Sequence, residues 1–225
     1  MHISDRQRLK SLAHGAVSVM LSIAALSLNQ AVWAAGSADV GQRLYPVCTA
    51  CHGVSGQGNR AMGAPKISGQ QSAYLLKQLQ NFQSGIRGDA PGDAKGRQMA
   101  AMSRGPQLSS EKALNDLVAY IISLPNNQPL QTISGDTKRG QELYASCVSC
   151  HGEAAQGLEM MAAPRLSGQN DWYLLAQLQK FAAGKRGYHA SDHGGRQMKA
   201  MSVVLQKPAD YLDVVAYINT LSPES

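Results

Sequence analysis

The sequence predicts an all-α protein built as two tandem copies of one small domain. Three observations carry this. First, the chain repeats itself at an offset of 99: Cys48-Thr49-Ala50-Cys51-His52-Gly53 returns as Cys147-Val148-Ser149-Cys150-His151-Gly152, and Gly96-Arg97-Gln98-Met99 as Gly195-Arg196-Gln197-Met198. Such a period is a whole small domain rather than a solenoid repeat. Second, apolar residues recur at helical spacing in each copy, and no stretch sustains two-residue alternation. Third, the 225 residues are 44% hydrophobic, which excludes a disordered or fibrous chain. Yet the aromatic stock is only two Trp, eight Tyr and two Phe. That is thin filling for two cores, so something other than side chains is expected inside them.

The elements follow in order. Residues 1–34 read as a secretory signal: Arg6, Arg8 and Lys10 precede a 13-residue, mostly apolar run from Ala16 to Leu28, and Val32-Trp33-Ala34 offers a cleavage site. The run falls short of the ~20 residues a membrane span needs, and no later segment is expected to cross a bilayer. The first domain is read as 35–128. Asp39 is expected to cap a helix leading into the first cysteine, as Asp136 does in the second copy. Tyr74, Leu75, Gln78, Leu79 and Phe82 share one helical face, which Gly85 ends. Leu114, Leu117, Val118, Ile121 and Ile122 form an amphipathic stripe after Ser109 or Ser110. The stretch Pro125-Asn126-Asn127-Gln128-Pro129 joins the copies, and the second domain is read as 129–225. Its last helix is expected to start at Pro208, a good first helical position. The Gly-, Pro- and Met-rich segments between helices imply wrapping around a large ligand.

Every cysteine lies in a Cys-x-x-Cys-His. Two thiols at this spacing each add to a haem vinyl group, and the following His is then placed to donate Nε2 to the iron. This makes Cys48, Cys51, Cys147 and Cys150 the attachment residues and His52 and His151 the proximal ligands. Two covalent haem c groups would also supply the missing flat apolar core. Other uses fit worse. A shared zinc site would draw on pairs about a domain apart and leave each His spare. A thioredoxin-like pair needs a βαβ setting, and plain disulfides give the His no role.

The opposite face of each iron decides function: a second strong ligand favours electron transfer, whereas an open site permits chemistry on substrates. The remaining histidines of the exported chain, His189 and His193, occur only in the second copy. Methionine does repeat: Met99 and Met198 lie 47 residues after their His, and Met102 and Met201 lie three further on. Spacing alone leaves the two pairs open. Met62 and Met161 sit ten residues past the proximal His, too near to cross to the other face. Pro65 and Pro164, each 13 residues past the His, offer a free carbonyl that would accept the ring Nδ1–H.

These motifs, with a Tyr74-Leu75-Leu76-Lys77-Gln78-Leu79 helix and a late Met-x-x-Met, resemble the dihaem class I cytochromes c of the cytochrome c4 type over residues 38–222. The resemblance implies two all-α domains, each wrapped around one haem with His/Met ligation. It places the ligand Met seven residues before a Leu; Met198 and Leu205 fit, and repeat symmetry then selects Met99. It implies that Gly41 and Gly140 let the first helix cross the last near Tyr120 and Tyr217. It also suggests Gln70, Tyr74, Arg97 and their repeats near haem propionates. The segment 88–96 and its counterpart around Tyr188, His189, Asp192 and His193 depart from the family pattern and are expected to be solvated loops.

The resemblance further implies a periplasmic electron carrier, not an enzyme. Its partners would be redox proteins: a quinol-oxidising complex or dehydrogenase on one side and a terminal oxidase on the other. No nucleic-acid partner is expected, and membrane association is at most peripheral. A bound haem subunit of a larger oxidoreductase, or a dihaem peroxidase, are the alternatives. Residues 35–130 carry nine basic and five acidic side chains, whereas 131–225 carry nine of each. That imbalance would orient the protein towards an acidic partner through surface cations such as Lys66, Lys77 and Lys95.

Overall fold

The computed structural model describes residues 36–221; the signal-segment reading lies outside them. Among the described residues there are helices and no strand. The first copy contains α1 (Ala38–Leu44), α2 (Pro46–His52), α3 (Ser72–Gln83), α4 (Ala94–Ser103) and α5 (Glu111–Ser123). The second contains α6 (Thr137–Tyr144), α7 (Val148–His151), α8 (Asp171–Ala182), α9 (His193–Met201) and α10 (Pro208–Thr220).

Local sequence sets most of these ends. Ser110 caps α5, its hydroxyl accepting from Ala113 N at 3.1 Å. Asp136 caps α6 in the same way, accepting from Arg139 N at 3.1 Å. Pro208 opens α10, and Gly85, at φ +76°, turns the chain out of α3. The cap of α1 corrects the sequence reading. Ser37 takes that place, and Asp39 sits inside the first turn, where its charge still favours the helix N-terminus.

α4 and α9, which carry the repeated methionines, are not legible from periodicity. Their sequences are rich in Gly and polar residues. Asp93 and Asp192 start them, each accepting from the backbone N–H three residues on.

In each copy the first helix crosses the last in contact with it. A Cβ on Gly41 would lie 2.0 Å from Asp116 O, and one on Gly140 would lie 2.0 Å from Asp213 O. Beside each crossing, Tyr45 packs edge-on against Tyr120 and Tyr144 packs at a tilt against Tyr217. Both inner tyrosines then donate to the carbonyl just after the Cys-x-x-Cys-His, Tyr45 to Gly53 O and Tyr144 to Gly152 O, each at 2.7 Å. The crossing thereby fixes the start of the site. Leu75, Leu79, Leu114, Leu117, Val118 and Ile121 fill the first core, each burial contributing about 1.5–3 kcal/mol. Leu143, Leu174, Leu205, Val214, Val215 and Ile218 fill the second.

The segments read as solvated loops are instead part of the seam between the copies. The Tyr188 hydroxyl donates to Gly85 O (2.8 Å) and accepts from Asp89 N (3.1 Å). Asp93, almost fully buried, pairs with Lys180 of the other copy at 2.7 Å. The two segments are equal in length and differ in sequence, and each lends side chains to the seam while keeping other residues exposed.

Asp171 anchors the joint. Its carboxylate accepts from Ile133 N (2.7 Å), Thr132 Oγ1 (2.9 Å), Trp172 N (2.6 Å) and Thr132 N. Burial alone would push its pKa up, but these donors more than offset that and hold it below the usual range. A depressed carboxyl contributes stability above its unfolded value, near pH 3.9, and loses it as pH falls through the lower folded value. We expect Asp171→Ala to cost at least about 2 kcal/mol at neutral pH, with the gap to the parent closing below about pH 4. Urea unfolding at several pH values checks this; a pH-independent difference would contradict it.

Candidate functional site

α2 carries Cys48, Cys51 and His52 on one short helix, and α7 with its preceding residue carries Cys147, Cys150 and His151. All four cysteines are half-buried and none is in a disulfide. Burial pushes the Cys48 thiol up to about 11 and raises Cys147 as well. Both histidines are buried. Among the described residues no three His, Cys, Asp or Glu side chains cluster as a zinc site would require.

His52 Nδ1 lies 2.8 Å from Pro65 O, and His151 Nδ1 lies 2.9 Å from Pro164 O. A carbonyl only accepts, so Nδ1 carries the proton and Nε2 keeps its lone pair for a ligand. Burial pulls both rings below their ordinary pKa, against the smaller opposing effect of the proline carbonyls. They are therefore neutral donors at neutral pH.

In the second copy the free Nε2 of His151 faces Met198 Sδ at 3.5 Å. In the first copy His52, Met99 and Met102 all line one mostly apolar cleft with Leu79, Phe82, Leu117 and Ile121. Met99 packs against the core, whereas Met102 and Met201 are 43% and 39% exposed. Met161 is also exposed and Met160 fully so. The sequence-predicted donors thus face each other in the second copy and share one cleft in the first.

The cleft of the first copy is closed by side chains of the second, Gln169, Tyr173, Gln177 and Lys180. There the structure shows a group that sequence reasoning missed. Arg87 and Arg186, both buried, meet across the seam over a shared pair of glutamines. Arg87 donates to Gln78 Oε1 (2.7 Å), the Tyr173 hydroxyl (3.0 Å) and Gln177 Oε1 (3.3 Å). Arg186 donates to Gln177 Oε1 (3.1 Å) and Gln78 Oε1 (3.4 Å). Each guanidinium also lies over a phenylalanine, Arg87 on Phe82 and Arg186 on Phe181. The signal was available: Gly85-Ile86-Arg87-Gly88 recurs as Gly184-Lys185-Arg186-Gly187.

Among the described residues neither guanidinium has a carboxylate in ion-pair reach, and Arg186 Nε is buried without a hydrogen-bond partner. Burial pushes the Tyr173 phenol up, but Arg87, Arg186 and Lys180 pull it down, for a net pKa below its ordinary value. Two buried cations are costly when the carboxylate that acts on Arg87, Asp93, is already paired with Lys180. The chamber fits a flat apolar group with an anionic edge, which a haem with its carboxylates is. Gln70 and Tyr74 do line this chamber. Arg97 and Arg196 do not: both are exposed and donate to carbonyls of their own segments, Ala90 O and Ala190 O. The sequence reading chose the wrong arginine because Arg97 lay inside the motif block carrying the methionine.

Comparison with known proteins agrees with this chemistry. The cytochrome c family profile matches twice, over residues 38–125 and 137–222. The chain is 33% identical over 204 residues to cytochrome c4 of Azotobacter vinelandii, covering 87% of this chain and 94% of that one. It is 27% identical to a thiosulfate dehydrogenase electron acceptor of Stutzerimonas stutzeri, over 81% of this chain and 87% of that one. The crystal structure of reduced recombinant cytochrome c4 from Pseudomonas stutzeri superposes with a TM-score of 0.64 at 29% identity, covering 83% of this chain and all of that one.

Proposed function

This chain belongs to the cytochrome c family, as a dihaem electron-transfer cytochrome of the c4 type with two covalent haem c groups, and from that premise we propose that it is a periplasmic electron shuttle rather than an enzyme. It would be exported by a cleaved leader, residues 1–34, and consist of domains 35–128 and 129–225. Electrons would pass from a quinol-oxidising complex or dehydrogenase to a terminal oxidase. A relative described as a thiosulfate dehydrogenase electron acceptor supports a dehydrogenase as one source.

Bound haem supplies a one-electron Fe(III)/Fe(II) couple. The chain's own residues do the rest. Cys48, Cys51, Cys147 and Cys150 would tether the groups, and His52 and His151 would each hold one axial position through Nε2. Met99 and Met198 would hold the other; a thioether favours ferrous iron and so raises the potential. Arg87 and Arg186 would neutralise the carboxylates that haem carries. The single observation that supports the carrier reading is Met198 Sδ facing His151 Nε2 at 3.5 Å, so that in the second domain a thioether rather than a substrate would stand opposite the ring.

Lys66 is withdrawn from the proposed docking surface. It is 4% exposed, and its Nζ donates to Asn126 Oδ1 and Gly168 O. Burial, with Arg165 beside it, lowers its pKa to about 8. Lys77 and Lys95 remain exposed and available to an acidic partner.

Among the described residues no helix is long and apolar enough to cross a membrane. The shuttle reading is tested with membrane vesicles holding a quinol-oxidising complex and a terminal oxidase but washed free of soluble cytochromes. Added holoprotein should restore oxygen uptake at amounts well below one per oxidase, since a carrier turns over. Stoichiometric binding without restored uptake would favour a bound subunit, and hydrogen peroxide consumption would favour the enzyme.

A further inference from the structure

We propose that each domain sets the strength of the other domain's axial histidine, through one shared peptide group on each side of the seam. This rests on the ligand assignment above and concerns what lies behind each histidine.

The carbonyl of Pro65 and the N–H of Lys66 belong to the same peptide unit. Its oxygen accepts from His52 Nδ1–H at 2.8 Å. Its N–H donates to Asn170 Oδ1 of the second domain at 2.7 Å, in a buried contact. The Pro164–Arg165 peptide repeats the arrangement: the oxygen accepts from His151 Nδ1–H at 2.9 Å, and the N–H donates to Gln70 Oε1 of the first domain at 2.8 Å. Two chains of hydrogen bonds therefore cross the seam in opposite directions. One runs Asn170, peptide 65–66, His52; the other runs Gln70, peptide 164–165, His151.

A peptide whose N–H is engaged carries more negative charge on its oxygen and accepts more strongly, since linked hydrogen bonds polarise one another. A stronger acceptor behind Nδ1–H makes the imidazole a better electron donor at Nε2. Stronger donation favours ferric iron, so each relay lowers the potential of the haem in the domain that receives it. The oxygens that accept from the two peptide N–H groups belong to side chains of the opposite domain. Asn170 and Gln70 are themselves 8% and 9% exposed, so water cannot replace them readily.

The two arms are not copies of each other. Gln169 is the repeat of Gln70 but reaches the next carbonyl instead, donating to Lys66 O at 2.8 Å, while the neighbouring Asn170 serves the relay. Gln70 does both on its side, donating to Arg165 O at 3.0 Å as well. Gln169 therefore provides a control: it makes an interdomain hydrogen bond at the same residue without entering the relay peptide.

The test is potentiometric titration of the dihaem holoprotein, with each couple assigned by NMR. Asn170→Leu should raise the N-terminal couple only, and Gln70→Met, whose side chain also lines the N-terminal chamber, should raise the C-terminal couple by more than it moves the N-terminal one. The expected shift is up to about tenfold in the reduction equilibrium, or about 59 mV for one electron. The Nδ1–H resonance of the histidine across the seam should move upfield in the same variants. Gln169→Leu should lower stability, leave the C-terminal couple in place and move the N-terminal couple by less than Asn170→Leu does, since Gln169 lines that chamber without entering the relay peptide. Shifts confined to the mutated residue's own domain, equal shifts of both couples, or unchanged potentials with both haems low-spin would overturn the proposal. Should a variant not accumulate, hydrogen exchange in the unmodified protein decides: the Lys66 and Arg165 amides must be strongly protected, and rapid exchange of either contradicts its relay. High-spin iron in the unmodified protein would instead contradict the ligand assignment, and is read before any variant is made.

Discussion

Met198→Ala should remove half of the red absorption band that marks thioether-ligated ferric haem, while Met201→Ala leaves it intact. The two side chains stand three residues apart on α9, and sequence spacing cannot separate them. Their surroundings can. Met198 is half-buried with its sulfur 3.5 Å from His151 Nε2, whereas Met201, at the last position of the helix, is 39% exposed. Loss of the thioether removes the ligand that favours ferrous iron. The C-terminal couple should then fall by on the order of 100 mV or more, since axial ligands tune haem over about 0.8 V. The vacated position would also bind carbon monoxide on reduction. In the first copy, Met99→Ala and Met102→Ala should divide in the same way. Loss of the band in Met201→Ala with retention in Met198→Ala would reverse the assignment.

Gly140→Ala should be among the most destabilising single-methyl additions in the chain. The new Cβ would sit 2.0 Å from Asp213 O, 2.7 Å from its carbonyl carbon and 2.8 Å from Tyr217 Cβ. The first two are backbone atoms of α10, so no side chain can swing aside. The helices must separate, which loosens the Tyr144–Tyr217 contact and the Tyr144 hydrogen bond to Gly152 O beside the haem-attachment motif. Overpacking of this kind costs about 3 kcal/mol or more, a large share of the ~5–15 kcal/mol by which a typical protein is stable. Gly194→Ala is the matched control. It adds the same methyl early in α9, where nothing lies within 4 Å, and should be neutral or stabilising by up to about 1 kcal/mol. Urea unfolding of the holoproteins checks both, and a Gly140→Ala cost under about 1 kcal/mol would contradict the crossing geometry.

The repeat, the two Cys-x-x-Cys-His motifs and the helices bearing apolar stripes were legible because each is a local pattern with one economical physical reading. Ser110, Asp136, Gly85 and Pro208 punctuate those helices as their chemistry dictates. The proline carbonyls behind His52 and His151 were also anticipated, because a fixed 13-residue spacing recurred. What stayed hidden was relational. α4 and α9 are short and rich in Gly and polar residues, so their apolar positions are too few to read as a stripe. Arg87, Arg186 and Asn170 matter only once the two copies are set against each other, and no periodicity within a copy encodes that. The 88–96 segment looked like a solvated loop because the partners that tie it to the seam, Tyr188 and Lys180, lie in the other domain.

We expect both irons to be closed by a histidine and a methionine of their own domain and to serve only to pass electrons. An optical redox titration of the intact holoprotein tests it most directly. Two one-electron couples should be resolved, with both irons low-spin in both oxidation states. The thioether band of the fully oxidised protein should have the intensity of two haems, and the reduced protein should not bind carbon monoxide. A high-spin signature on either iron, or a carbon monoxide complex formed by the unmodified protein, would contradict the claim.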